Sequence, residues 1–349
     1  MSTTPCPVLA ELRGHIGYLT LNRPTGLNAL TLEMVQLLRT QLEQWAQEPT
    51  VLAVVLRGAG ERAFCAGGDI RHMYDSYLAG RSHEPETFFR EEYELDAYIH
   101  AYQKPILALM DGIVLGGGMG LAQGASIRLL TERSRLGMPE TGIGYFPDVG
   151  GSYFLSRLPG QIGLYLGITG NHVGSSDALY AGLGDLCISS NRLSELEALI
   201  DSFNPAEGSL REQIAVLADC ALPEADLQTL QPAIDLHFTQ PDIAAIRASL
   251  ASEQRPEFSE WAQRTLEIID TRSPLAMAVT QAMLVRGRSL TLADCFAMEL
   301  HLGRQWFEKG NIMEGVRALL VDKDKQPKWD PPHLEQLDPE RVAAFFAGL

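Results

Sequence analysis

The sequence predicts an α/β protein with a helical C-terminal region, and three observations carry that prediction. Apolar, β-branched runs alternate with amphipathic stretches through the first half of the chain, as strands and helices stacked in layers do. Of the 32 glycines, 26 lie in residues 1–190 and six follow, so tight turns and close backbone approach concentrate there. From about residue 191 the apolar period becomes almost continuously helical.

The elements follow in order. Residues 8–12 and 16–22 read as short strands around a turn at His15 and Gly17, and NRPTGLNAL (22–30) leads into a helix from Thr31, its cap, to Gln47. VLAVVLR (51–57) and ILALMD (106–111) are unbroken apolar runs, as strands covered on both faces are. Between them a loop is expected over 58–70 and an amphipathic helix over about 85–102. GIVLGGGMGLAQGAS reads as a glycine turn feeding a short helix, with a strand after it at 126–132. LSELEALIDSF, LREQIAVLADCAL, PDIAAIRASLASE, FSEWAQRTLEIID and LADCFAMELHLGRQWFEKG place apolar residues at three-to-four spacing, with Pro205, Pro223, Pro241, Pro256 and Pro274 at the boundaries. The expected organisation is a glycine-rich α/β core over 1–190 and a helical region over 191–349.

Composition removes whole function classes. With 28 basic and 44 acidic side chains among 349 residues the formal charge is −16, which argues against a nucleic-acid binder because phosphates need a basic surface. The five cysteines (Cys6, Cys65, Cys187, Cys220, Cys295) form no C-x-x-C pair, which argues against a disulfide framework or a zinc site. With no secretory signal and no stretch suited to a membrane span, a cytoplasmic protein is expected. There is no G-x-S-x-G, no P-loop and no H-E-x-x-H; GGGMGL carries Leu121 where a dinucleotide fingerprint needs its third glycine.

The positive signals are two glycine turns and several carboxylates. Gly67 and Gly68 follow one expected buried strand and Gly116, Gly117 and Gly118 follow the next. Backbone N–H groups freed at such turns can donate to a developing oxyanion; the alternative is two ordinary loops.

NRPTGLNAL, AFCAGGDIRHM (63–73), KPILALMDGIVLGGGMGLA (104–122) and RLGMPETGIGYFPDVGG (135–151) resemble, in order and spacing, the crotonase or enoyl-CoA hydratase/isomerase superfamily. The resemblance implies a crotonase-like spiral of ββα units that binds an acyl-CoA thioester, its carbonyl oxygen held by the N–H groups of Gly68 and Gly117. Hydratases of the superfamily carry a glutamate two residues after the glycine triplet, where this chain has Gly120; their second glutamate is matched by Glu140. FFREEY (88–93), MPET and FPDVGG, together with the long helical tail, look like the 3-hydroxyisobutyryl-CoA hydrolase branch, whose active-site acids carry over to Glu92, Glu140 and Asp148.

That branch implies thioester hydrolysis in valine breakdown, no metal or redox cofactor, CoA as part of the substrate, and a homo-oligomer as a possible assembly. Glu140 would act as general base or as nucleophile. Asp148 would bind the substrate's 3-hydroxyl or hold Glu140, and Glu92 would bind the same hydroxyl or share a proton. Each acid has a plainer alternative: a solvated helix face for Glu92, a capping carboxylate for Glu140 and an N-cap for Asp148. Asp69 is expected to shape its loop and Cys65 to be a buried small side chain. The basic residues near the loops, and so near the CoA phosphates, are Arg23, Arg57, Arg62, Arg71 and Lys104. The rivals are an enoyl-CoA hydratase or isomerase and a non-catalytic scaffold of the same fold.

Overall fold

The computed structural model of the chain describes residues 6–349. Strands β1 (Val8–Arg13) and β2 (Ile16–Leu21) pair antiparallel, and helix α1 (Leu32–Gln47) starts where the Thr31 side chain accepts the Met34 N–H. The chain then repeats one unit: a strand, a second strand, then helix. β3 (Ala53–Gly58) and β4 (Ala63–Cys65) lead to α2 (Ile70–Leu78) and α3 (His83–His100). β5 (Ile106–Met110) and β6 (Ile113–Leu115) lead to α4 (Gly117–Gln123), and β7 (Ile127–Leu130) and β8 (Arg135–Gly137) follow.

The first strand of each repeat enters a six-stranded sheet, β1-β2-β3-β5-β7-β9, where β9 is Leu186–Cys187; its pairs are parallel from β2 onward. The second strands form a three-stranded sheet, β4-β6-β8. The unbroken apolar runs are explained by cover on both faces. Tyr18, Val55, Leu107 and Leu129 pack with Leu196, Ile200, Leu210 and Ile214 from the helices Leu193–Asp201 and Leu210–Ala215. On α1, Met34, Leu38, Leu42 and Trp45 are buried. Each such side chain taken fully out of water contributes about 1.5–3 kcal/mol.

Two compact units result. One holds the segments up to Asp69, Glu91–Leu136 and Val173–Ala225; the other holds Ile70–Arg90, Gly137–His172 and Asp226–Leu349. The helical region beginning at 191 is therefore shared: its first two helices cover the large sheet, and the helices from Asp226 onward build the second unit. A cut at residue 190 does not separate these units.

Other departures have physical causes. The loop expected over 58–70 contains β4, three residues long and so too short to show a period, and α2 begins at its end. The helix Pro274–Gly287 was not marked by amphipathic spacing because it is buried nearly all round, from Leu275 and Ala276 to Met283 and Leu284. In Asp226–Phe238 an internal Pro232 masks the pattern. Among the described residues no helix is long and apolar enough to cross a membrane.

Candidate functional site

In the first unit, the NRPTGLNAL segment holds the glycine turn after β4. The Ala66 N–H donates to Leu27 O (3.0 Å), Leu30 N–H to Gly67 O (2.8 Å) and Asp69 N–H to Leu30 O (2.8 Å). Leu27 and Asn28 take left-handed φ values of 53° and 56°, a conformation asparagine tolerates better than most residues. The buried Asn28 amide donates to Ala59 O (3.0 Å) and Ala63 O (2.8 Å), while its side-chain oxygen accepts the Arg23 N–H (3.0 Å). Arg23 pairs with Asp69 at 3.0 Å, so Asp69 shapes the loop. Asn28 is a residue that sequence reasoning missed; its signal was an asparagine inside a turn-forming Gly-Leu-Asn run.

The two glycine turns meet. Gly67 has φ +99°, and a Cβ there would stand 3.2 Å from Leu115 O and 3.5 Å from Gly117 N. Gly117 opens α4, and the N-cap, Gly116, has no side chain to satisfy the first N–H groups. Among the described residues neither the Gly68 nor the Gly117 N–H donates to a protein acceptor. Both are open donors on adjacent turns, the arrangement an oxyanion needs.

Glu92 joins them. It is 2 % exposed, whereas Glu94 on the same helix faces solvent, so the solvated-face alternative does not describe it. Its Oε1 lies 2.3 Å from the point a Gly117 Cβ would occupy; glycine leaves the space this carboxyl fills. Asp96, one helical turn further, is also buried and was not singled out. Gly120 is buried inside α4 and brings no acid. Burial pushes the Cys65 thiol up to about 12, with the Glu92 and Asp96 charges adding to it, which keeps it a protonated core group.

The second unit carries the other acids. Glu140 starts a short 3₁₀ turn, Glu140–Ile143, anchored by Thr141 Oγ1 donating to Ile168 O (2.8 Å) and Trp306 Nε1 donating to Gly144 O (2.7 Å). It is buried, and among the described residues its Oε2 has no hydrogen-bond partner. Burial, then the charge of Asp148, holds its carboxyl well above the usual range. Asp148 is buried too, but it is not an N-cap: Gly150 caps Gly151–Phe154, without a side-chain bond. Tyr145 stacks on Phe146 (4.3 Å between centroids) and on Phe89 (5.7 Å), with Trp306 edge-on to Tyr145 and Phe146. This aromatic layer lowers the local dielectric. Glu299, fully buried and close enough to Asp148 to feel its charge, was missed because it sits in an apolar helical stripe.

Of the basic residues, Arg57 is engaged with Glu197 (2.5 Å) and Thr20, Lys104 with backbone carbonyls of Trp45 and Glu48, and Arg71 with Asp75 and Leu320 O. Among the described residues no group of three or more His, Cys, Asp or Glu is placed to hold a metal ion.

The structure thus brings Gly68, Gly117 and Glu92 together in one unit and Glu140 and Asp148 together in the other. A family model described as enoyl-CoA hydratase/isomerase matches residues 16–346. The chain belongs to the enoyl-CoA hydratase/isomerase family. Among this family's proteins it is 39% identical over 349 residues to the mitochondrial 3-hydroxyisobutyryl-CoA hydrolase of Gallus gallus, spanning 98% of this chain and 89% of the relative. Among solved structures, a carnitinyl-CoA dehydratase from Mycobacterium thermoresistibile matches with TM-score 0.90 and 35% identity, over 98% of this chain and 97% of that one. An enoyl-CoA hydratase from Rhodobacter sphaeroides matches with TM-score 0.89 and 37% identity, over 98% of each chain. The α/β crotonase architecture, its added helices included, is therefore shared with these two structures over nearly the whole chain. The cytoplasmic location expected from the sequence is overturned by the similar 3-hydroxyisobutyryl-CoA hydrolases, since those of Gallus gallus and Danio rerio are both named as mitochondrial. The cysteine pattern on which that expectation partly rested carries no address.

Proposed function

We propose that this family member hydrolyses the thioester of 3-hydroxyisobutyryl-CoA, or of a close 3-hydroxyacyl-CoA, to the free acid and CoA. The whole-length similarity to 3-hydroxyisobutyryl-CoA hydrolases carries the reading. In the proposed chemistry the N–H groups of Gly68 and Gly117 take the thioester oxygen, where each donor is worth on the order of 10²–10³ in rate. Glu140 then either removes a proton from an attacking water or attacks the carbonyl itself, giving a mixed anhydride that water opens; CoA leaves as the thiol in both routes. Burial and the Asp148 charge raise the proton affinity of the Glu140 carboxyl, which favours its taking up and returning a proton. Asp148 and Glu92 would bind the 3-hydroxyl or share that proton. No cofactor is required beyond the CoA already in the substrate, and a step in valine breakdown and a homo-oligomeric assembly are part of the same proposal.

Hydration of an enoyl-CoA is the second reading, favoured by the name of the Rhodobacter sphaeroides structure. Gly120 weighs against it, since glycine offers no acid or base at the position where the resemblance places a hydratase glutamate. The two are separated by offering the purified protein 3-hydroxyisobutyryl-CoA and crotonyl-CoA in parallel. Release of CoA thiol from the first is expected. Loss of the enoyl absorbance of the second without thiol release from the first would overturn the hydrolase reading, and inertness to both would leave a scaffold.

A further inference from the structure

The helix Leu292–Lys309 buries Cys295, Phe296, Met298, Leu302, Gly303 and Trp306, and Glu299 stands in the same stripe with 0% exposure. An acid there is costly unless its oxygens are satisfied. Its partners all come from one turn: Gly150 N–H donates to Oε2 (2.8 Å), and both the N–H (2.8 Å) and the hydroxyl of Ser152 donate to Oε1. That turn is unusual. Val149 has φ +51° and Gly150 φ +84°, and Gly151 N–H closes back on Asp148 O at 2.7 Å. A β-branched residue in the left-handed region is strained, and such conformations persist only where the surroundings over-determine them. Glu299 supplies that constraint, beginning two residues after Asp148.

We infer that Glu299 is a positioning residue that clamps the Asp148–Ser152 turn and so fixes where the Asp148 carboxyl points. The inference rests on the proposed role of Asp148 in hydrolysis. A carboxyl let loose by about 1 Å can cost on the order of 10²-fold in rate. Because Glu299 acts through Asp148, its effect should vanish when Asp148 has already been disabled.

The test is a double-mutant cycle of Glu299→Gln and Asp148→Asn in the full chain, with amide hydrogen exchange read over residues 148–152. Glu299→Gln keeps the shape but replaces one acceptor oxygen with an NH₂ group. Expected is a fall in kcat of about 10- to 100-fold with KM little changed, faster exchange at 148–152, and less than about a threefold further loss when added to Asp148→Asn. Retention of kcat within threefold, or multiplication of the two losses, overturns the inference. If Glu299→Gln does not fold, Ser152→Ala, which removes one donor and leaves the acid, decides it: a smaller kcat loss with faster exchange supports the clamp, and an unchanged enzyme overturns it. If the unaltered protein releases no thiol, the hydrolase reading has failed on its own account, and the clamp is judged by exchange alone; unchanged exchange in Glu299→Gln then overturns it.

Discussion

Replacing Gly117 with alanine adds a single methyl group, and the structure says where it goes. The new Cβ stands 2.3 Å from Glu92 Oε1 and 3.3 Å from Leu30 Cδ1. The first distance falls short of an ordinary carbon–oxygen contact by roughly 1 Å, so the Glu92 carboxyl must move by about that much or the N–H of residue 117 must. For stability the effects nearly cancel: alanine in a helix gains about 1 kcal/mol over glycine, while overpacking costs about 1–3 kcal/mol. Glu92 Oε1 is the far end of a flexible side chain, which favours the low end of that cost. For catalysis they do not cancel. A 1 Å displacement at a reacting site costs on the order of 10²-fold, and a lost oxyanion donor a further 10²–10³-fold at most. Gly117→Ala is therefore expected to stay folded, with the stability obtained from urea unfolding changed by less than about 2 kcal/mol, and to lose at least about 100-fold in kcat/KM for thiol release from 3-hydroxyisobutyryl-CoA. A folded Gly117→Ala protein with kcat/KM within threefold of the parent would refute both the open-donor and the Glu92 packing arguments.

Three further outcomes are expected. Glu140→Gln should lower kcat by about 10²–10⁴-fold with thermal stability unchanged or higher, since it removes a buried acid; full activity would take Glu140 out of the reaction. Glu299 and Glu140 should contribute a decline in stability as pH rises from about 5 to about 8: burial raises Glu299 to about 8 and Glu140 in the same direction, so at these sites the folded chain keeps protons the unfolded chain has released and linkage lowers stability with pH, against the opposite pull of His100 and His172, whose proton affinities desolvation lowers. Calorimetry across that range should show a shallower decline in Glu299→Gln; an equal slope would remove Glu299 as its source. Asn28→Ala should cost about 3 kcal/mol in chemical denaturation, from three hydrogen bonds and a left-handed backbone, while a cost under about 1 kcal/mol would deny the Asn28 staple its role.

Much of the large sheet and its covering helices was readable because their signals are local. VLAVVLR and ILALMD announce buried strands by unbroken β-branched and apolar content, and α1 carries both its cap, Thr31, and its apolar face. The three-residue strands β4, β6 and β8 carry no period and came only with the fold. Burial separates Glu92 from Glu94 on one helix, yet in sequence both belong to one charged run.

What the sequence by itself determined was the family, the glycine turns and the identity of the acids worth considering, because turn glycines and motif order survive reading along the line. What only the tertiary structure decided was which groups share an environment. Gly67 lies against Gly117 although 50 residues separate them in sequence. Glu299 reaches Gly150 across a separation of 149 residues. Proton affinity, oxyanion geometry and backbone strain depend on distance and dielectric, and these exist only once the chain has folded.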